Sequence, residues 1–135
     1  MQIPDGAHVA VIDGERFLWL RNSGDAVHPN LENFGAPDLD PTNRSSGKMR
    51  HSITTNQHTG NDLDEAAHVA AAADWMNHQA KTNAIEHLIV VADKRSLGEL
   101  RRHYHIELEK RLVGEIGKAV TNQPIDEIAQ TIAAA

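Results

Sequence analysis

Hydrophobic positions along the chain change period several times, and each change marks an element. Residues 7–12 (Ala-His-Val-Ala-Val-Ile) form a short apolar run that stops at Asp13-Gly14, and residues 16–21 (Arg-Phe-Leu-Trp-Leu-Arg) form a second. Asp-Gly between two such runs predicts a β-hairpin, because both residues tolerate the positive φ of a primed two-residue turn. In the second run Phe17 and Trp19 face one way and Leu18 and Leu20 the other, so the sheet needs cover on both faces. Residues 27–34 predict a weaker third strand anchored by Leu31, with Pro29 restricting it to an edge or a bulge.

Residues 35–61 hold no sustained apolar period, and 15 of these 27 residues are Gly, Pro, Ser, Thr or Asn, so they predict a long loop. Loops of that length inside a compact domain are either functional or insertions. A long helix follows. Asp62 and Glu65 have capping-box spacing, and Leu63, Ala66, Ala70, Ala73, Met76 and Ala80 recur every three or four residues. The stripe is narrow and made of small side chains, which lets a helix lie close to a sheet, with Trp75 adding one large contact.

Residues 87–92 contain the continuous apolar run Leu88-Ile89-Val90-Val91 that a parallel strand buried on both sides requires, and this fourth strand is expected at the sheet centre. Ser96-Leu97-Gly98-Glu99 reads as a capping box opening a helix that runs to about Tyr104. Leu108, Leu112, Ile116 and Val120 fit a helical row and a strand equally well; Gly114 and Gly117 favour a strand at about 112–119. Pro124 suits a first helical position, and Ile125, Ile128 and Ile132 continue a terminal helix. The order predicts one α/β domain over residues 1–135: a three-strand antiparallel meander, then α-β-α-β-α, in a mixed five-stranded sheet with helices on both faces. Helix crossovers make the later strands parallel.

Composition narrows the chemistry. With 135 residues, 40% of them hydrophobic, about two-thirds of the unfolded surface can be buried, so a core needs no staple. There is no cysteine, which excludes disulfide scaffolds, thiol catalysis and cysteine-ligated metals. No apolar run reaches the roughly 20 residues of a membrane span, and residues 1–13 lack a basic start and an apolar segment, so the reading is a cytoplasmic protein with no membrane insertion. The net charge of −6 argues against a general polyanion binder. That charge is uneven: residues 1–93 carry −7 and residues 94–118 carry +3.

Several side chains are candidates for chemistry. Asp13 and Asp93 both follow strands at their carboxyl ends, where open α/β sheets collect ligands. With a third acid, Asp62 or Asp64, they would form the metal site of a divalent-metal-dependent nuclease or phosphoesterase. Nine histidines give the chain charge to change between pH 5 and 7. His103 and His105 would point about 200° apart on a helix and could share a metal only if the helix ends there; His68 and His78 are also off a common ligand spacing, and no metal site or cofactor is expected. No P-loop, nucleophile elbow or dinucleotide fingerprint occurs. Lys94, Arg95, Arg101 and Arg102, with Arg44, Lys48 and Arg50 in the loop Ser45-Ser46-Gly47-Lys48-Met49-Arg50, are the candidate contacts to phosphate.

Taken in order, these features resemble the bacterial host-attachment proteins, described as required for attachment to host cells. The carrying residues are Val9-Ala10-Val11-Ile12-Asp13 through Phe17; Gly47-Lys48 through Ser52; Asp62 to Glu65 leading to Val69-Ala70; Leu88-Ile89-Val90-Val91-Ala92 followed by Leu97-Gly98-Glu99-Leu100-Arg101; and Gly114-Glu115-Ile116-Gly117-Lys118 with Pro124-Ile125-Asp126-Glu127-Ile128. That family is related to the middle domain of archaeal and eukaryotic class-one peptide release factors, which implies an RNase-H-like arrangement. Those factors carry Gly-Gly-Gln before the long helix to position water for peptidyl-tRNA hydrolysis. Here Gln57-His58-Thr59-Gly60-Asn61 stands in its place, so the hydrolytic role does not transfer. Three functions follow as expectations: a non-enzymatic interaction module touching RNA or the ribosome and affecting attachment indirectly, the nuclease or phosphoesterase above, or a protein-binding module whose long loop orders on its partner.

Overall fold

The structure is a computed structural model that describes residues 1–37, 39 and 57–135, the side chains of 57–63 excepted. Five strands, β1 (His8–Ile12), β2 (Phe17–Asn22), β3 (Leu31–Asn33), β4 (Leu88–Ala92) and β5 (Leu112–Gly117), form one sheet in the order β3-β2-β1-β4-β5. The helices are α1 (Gln57–Lys81), α2 (Lys94–Arg101), α3 (Ile106–Arg111) and α4 (Ile125–Ala134). β1 pairs antiparallel with β2 and parallel with β4, in register from His8 opposite Leu88 to Ile12 opposite Ala92, and β4 pairs parallel with β5. The mixed sheet expected from the sequence is therefore present. Its middle strand, however, is β1, and β4 lies one place off centre, because the hairpin adds two strands on one side of β1 and the crossovers add two on the other.

Every residue of β1 is buried, and the alternation of side chains sends them into two separate cores. Ala10 and Ile12 face α1, α2 and α3 through Val69, Ala72, Ala73, Met76, Leu97, Leu100 and Leu108. Val9 and Val11 face Leu20, Ile116, Ile128 and Ile132, so α4 covers the second face. The small stripe on α1 allows the close approach, and the aromatic cluster fills its margin: Trp19 meets Trp75 edge-to-face at 4.9 Å, and Phe17 meets Trp75 at 5.6 Å.

Several ends differ from expectation, each for a local reason. The hairpin forms without a primed turn, since neither Asp13 nor Gly14 has positive φ. Instead the Asp13 carboxylate Oδ1 accepts the backbone N–H groups of Glu15 and Arg16, at 2.7 and 2.6 Å, and sets a longer connection. Gly14 lies under the Glu65 side chain, and a Cβ there, 2.5 Å from the carboxylate, would push that side chain aside. β3 begins only after Pro29, and Val27 is exposed. Asn22, buried at the end of β2, holds that region by donating to the Ile3 carbonyl and accepting from Gly24 and Asn30.

Helix α1 already includes Gln57, so the last five residues of the expected 35–61 loop are helical, and Asp62 and Glu65 lie inside the helix and not at its cap; most of the rest of that loop lies outside the described residues. The helix ends with Asn83 at φ 62°, Ala84 N–H bonding to the Gln79 carbonyl, a left-handed helix stop. α2 is capped by Asp93, whose Oδ2 accepts Ser96 N–H at 3.0 Å, so Ser96 is a buried third residue and not the cap. α2 stops at Arg101, short of Tyr104, and an unexpected short helix α3 follows, capped by His105. Asn77 of α1 pins this connection, donating to the His103 carbonyl and accepting His105 N–H. Pro124 is the residue before α4, one place earlier than expected.

Leu100 is fully buried between α2 and the sheet, so Leu100→Ala should cost roughly 2–5 kcal/mol, read as a lower urea midpoint. His8 is also buried: burial, aided by the nearby Arg21 charge, lowers its pKa from 6.5 to about 4. The unfolded chain then binds the extra proton, so the stability that a neutral His8 contributes is whole above pH 6.5 and falls as pH drops toward about 4. Thermal melting across that window should show a decline that His8→Phe reduces.

Candidate functional site

The carboxyl ends of β1 and β4 open onto a cleft of about 430 Å³ lined by Asp13, Glu65, Asp93, Arg95, Ser96 and Glu99, among others. Because Ile12 and Ala92 are in register, the residues that follow them, Asp13 and Asp93, reach the same cleft. Both carboxylates are already engaged. Asp13 accepts the two turn N–H groups through Oδ1, and its Oδ2 accepts the Thr121 hydroxyl at 2.5 Å. Partial burial pushes its pKa up, but the bonds from Thr121, Glu15 and Arg16 and the nearby His68 outweigh this, and the net shift is downward. Asp93 serves as the α2 cap.

His68 projects from α1 toward the same turn, its Nδ1 3.1 Å from the Asp13 carbonyl oxygen. Its half-buried ring has a lowered pKa, burial outweighing the attraction of that carbonyl and of Asp13 and Glu15. Among the described residues, no three histidines or acids gather closely enough to hold a metal ion. Asp64 is exposed, and the side chain of Asp62 lies outside the described residues. The helix does end before His103 and His105, yet His103 Nε2 lies 2.9 Å from Glu99 Oε2 and His105 Nδ1 accepts Glu107 N–H, so each imidazole has its own partner.

The candidate cations of α2 are mostly matched with acids. Arg101 makes bidentate bonds to Glu115, Nε and Nη2 lying 3.1 and 3.0 Å from Oε1, and this pairing raises its pKa. Tyr104 donates to the other Glu115 oxygen at 3.0 Å, and its phenol is pushed up, by burial first and then by the Glu115 charge. Arg102 reaches Glu99, a partly buried acid that it shares with His103, at 3.5 Å, and Arg95 reaches Glu65 at 3.9 Å; both guanidinium groups are exposed. Lys94 is exposed and has no ion-pair partner among the described residues. Arg44, Lys48 and Arg50 lie outside the described residues. Sequence reasoning missed Thr121, Glu115 and Asn77, which meet their partners from other elements and carry no local signature.

The architecture is that of an α/β domain whose single mixed sheet is covered on both sides and whose polar residues gather at the carboxyl ends of the central parallel strands. The family model for bacterial archaeo-eukaryotic release factor family 12 matches residues 7–132, and the chain belongs to that family. The relationship to release factors expected from the sequence is thereby shown. No curated protein matches the chain. Among the described residues, no helix is long and apolar enough to cross a membrane.

The capping role of Asp93 predicts that Asp93→Ala lowers stability by about 1 kcal/mol while Asp93→Asn or Asp93→Ser retains most of it, measured by urea unfolding. Asp13 has a lowered carboxylate pKa, so its contribution is present above pH 3.8 and is lost as pH falls through the folded value. Acid unfolding of Asp13→Asn should therefore show a weaker pH dependence in that range than the parent chain.

Proposed function

We propose that this chain is a non-enzymatic cytoplasmic module of the release-factor type that touches RNA of the translation machinery. The observation that carries this reading is the family match across residues 7–132. The sequence contains no Gly-Gly-Gln, and residues 57–61 belong to α1, so in this reading the module binds without hydrolysing peptidyl-tRNA. An effect on attachment to host cells, which the sequence resemblance implies, is then indirect and runs through translation.

The phosphate contacts we assign are Arg44, Lys48 and Arg50 before the long helix and Lys94, Arg95, Arg101 and Arg102 on and just after α2. They are unequal. Arg102 and Arg95 stand 3.5 and 3.9 Å from their acids with their guanidinium groups exposed, and so are the readier to turn to a phosphate. Arg101 is held by two bonds to a half-buried Glu115 and gives way less readily. Shape and charge, not base edges, supply the selectivity.

Ribosomal RNA binding should weaken steeply with salt, and Lys94→Glu with Arg102→Glu should reduce the salt slope by about 1 per lost phosphate contact. Filter binding across a KCl series measures this. Salt-insensitive or unchanged binding rejects the reading, and capture of a protein in place of RNA favours the protein-binding module. A second reading, the metal-dependent nuclease or phosphoesterase of RNase-H-like fold, draws on the shared cleft of Asp13 and Asp93. Labelled RNA and DNA cut in Mg²⁺ or Mn²⁺ by the parent chain but not by Asp13→Asn or Asp93→Asn would establish it.

A further inference from the structure

At the opposite end of the sheet, a second cleft of about 690 Å³ is framed by the start of β1, the end of β2, the residue after β3 and the turn before β4. Its lining includes His8, Arg21, Phe34, Asn83, Asp5 and Glu86. His8 is 6% exposed, and its Nδ1 is the one buried side-chain nitrogen or oxygen without a hydrogen-bond partner among the described residues. Its ring is fixed by stacking on Trp19 at 4.9 Å, 21° from parallel. A buried polar atom left unpaired is costly, and this one belongs to a ring that lines the cleft, which points to a ligand beside it.

Phe34 is the second, independent feature. It is 54% exposed, yet it is held in place at three points: its N–H donates to the Trp19 carbonyl at 2.8 Å, its ring meets His8 edge-to-face at 5.4 Å, and the Arg21 guanidinium lies 5.5 Å from its centre. An exposed aromatic ring with its orientation already set is a stacking platform, and most of the ordering cost of a stacked ligand has been met before it arrives.

The polar groups define what stacks there. The Asn83 amide oxygen accepts from Arg111 Nη2 at 2.7 Å, which leaves its NH₂ group as a donor toward a ligand. His8, neutral at pH 7, offers one donor and one acceptor. Asp5 and Glu86 add carboxylates, which disfavour a phosphate and accept from an amino group. We propose that this cleft binds an aminated heteroaromatic ring of the nucleobase kind, adenine or cytosine, stacked on Phe34 with its edge toward His8, Asn83 and the two carboxylates. The proposal is independent of the cations assigned above, because a free nucleoside carries no phosphate.

Titrating the full chain with adenosine, cytidine and uridine, followed by the ring-proton shifts of His8 and Phe34, tests it. Saturable binding is expected for adenosine or cytidine, with uridine weaker by about ten-fold for its missing amino group. Phe34→Ala, a surface change that leaves folding intact, should weaken binding at least about five-fold. His8→Phe keeps the stack on Trp19 and should lose affinity without losing the folded spectrum, whereas Gln130→Ala, an exposed change on α4, should bind as the parent does. An arm with short oligo(A) and oligo(C) separates the sources: tighter binding than the nucleosides assigns an RNA strand, and equal or weaker binding assigns a free nucleoside. No saturation at millimolar nucleoside, equal affinity for uridine, or affinity unchanged in Phe34→Ala and His8→Phe would overturn the proposal.

Discussion

Strand β1 has no side that faces water. Its five residues are buried between α1 on one face and α4 on the other, and it is bonded to β2 and β4 along both edges. A strand in that position can only end in polar residues that turn the chain out of the sheet, so the chemistry of the molecule is forced to its two ends. At the carboxyl end lie Asp13 and Asp93 in one cleft; at the amino end lies His8 in the other.

Turns and helix starts leave backbone N–H groups without partners in the sheet or the helix, and the acids after the strands take them up. Asp13 accepts the exposed N–H groups of Glu15 and Arg16 in the hairpin connection, and Asp93 accepts Ser96 N–H in the first turn of α2. Thr121 then reaches over from beyond β5 to tie the hairpin to the opposite side of the sheet. The arrangement looks like a reaction centre in the sequence, where two aspartates end two apolar runs. In three dimensions each carboxylate is a structural acceptor.

What the sequence showed and what it hid divide along range. The apolar runs of β1 and β4, the two-sided pattern of β2 and the terminal helix rest on patterns within one segment, and the structure contains each of them; the strand expected at about 112–119, which the glycines and not the period favoured, is present at Leu112–Gly117. The ends of elements were less legible, because they are decided by single bonds. Ser96 has the capping-box spacing, but Asp93 sits three residues earlier and directly after the strand, where no loop intervenes, and it takes the bond. The short helix α3 depends on Asn77 of α1 bonding to both His103 and His105, which no reading of residues 103–111 reveals. The cations of α2 were visible as charges, but their partners Glu115 and Glu65 come from other elements. The amino-end cleft was missed entirely: His8 and Phe34 are 26 positions apart and meet only through β2.

The carboxylates at the strand ends hold the chain, Asp13 in the hairpin connection and Asp93 at the start of α2. Carbon-13 NMR of the Asp13 and Asp93 side-chain carboxyls, titrated with acid and then with Mg²⁺, tests this most directly. The account predicts that Asp13 titrates below the ordinary 3.8 and that neither carboxyl shifts in a saturable way with the ion. A titration above that value, or a joint saturable shift of both carboxyls on adding Mg²⁺, would contradict it.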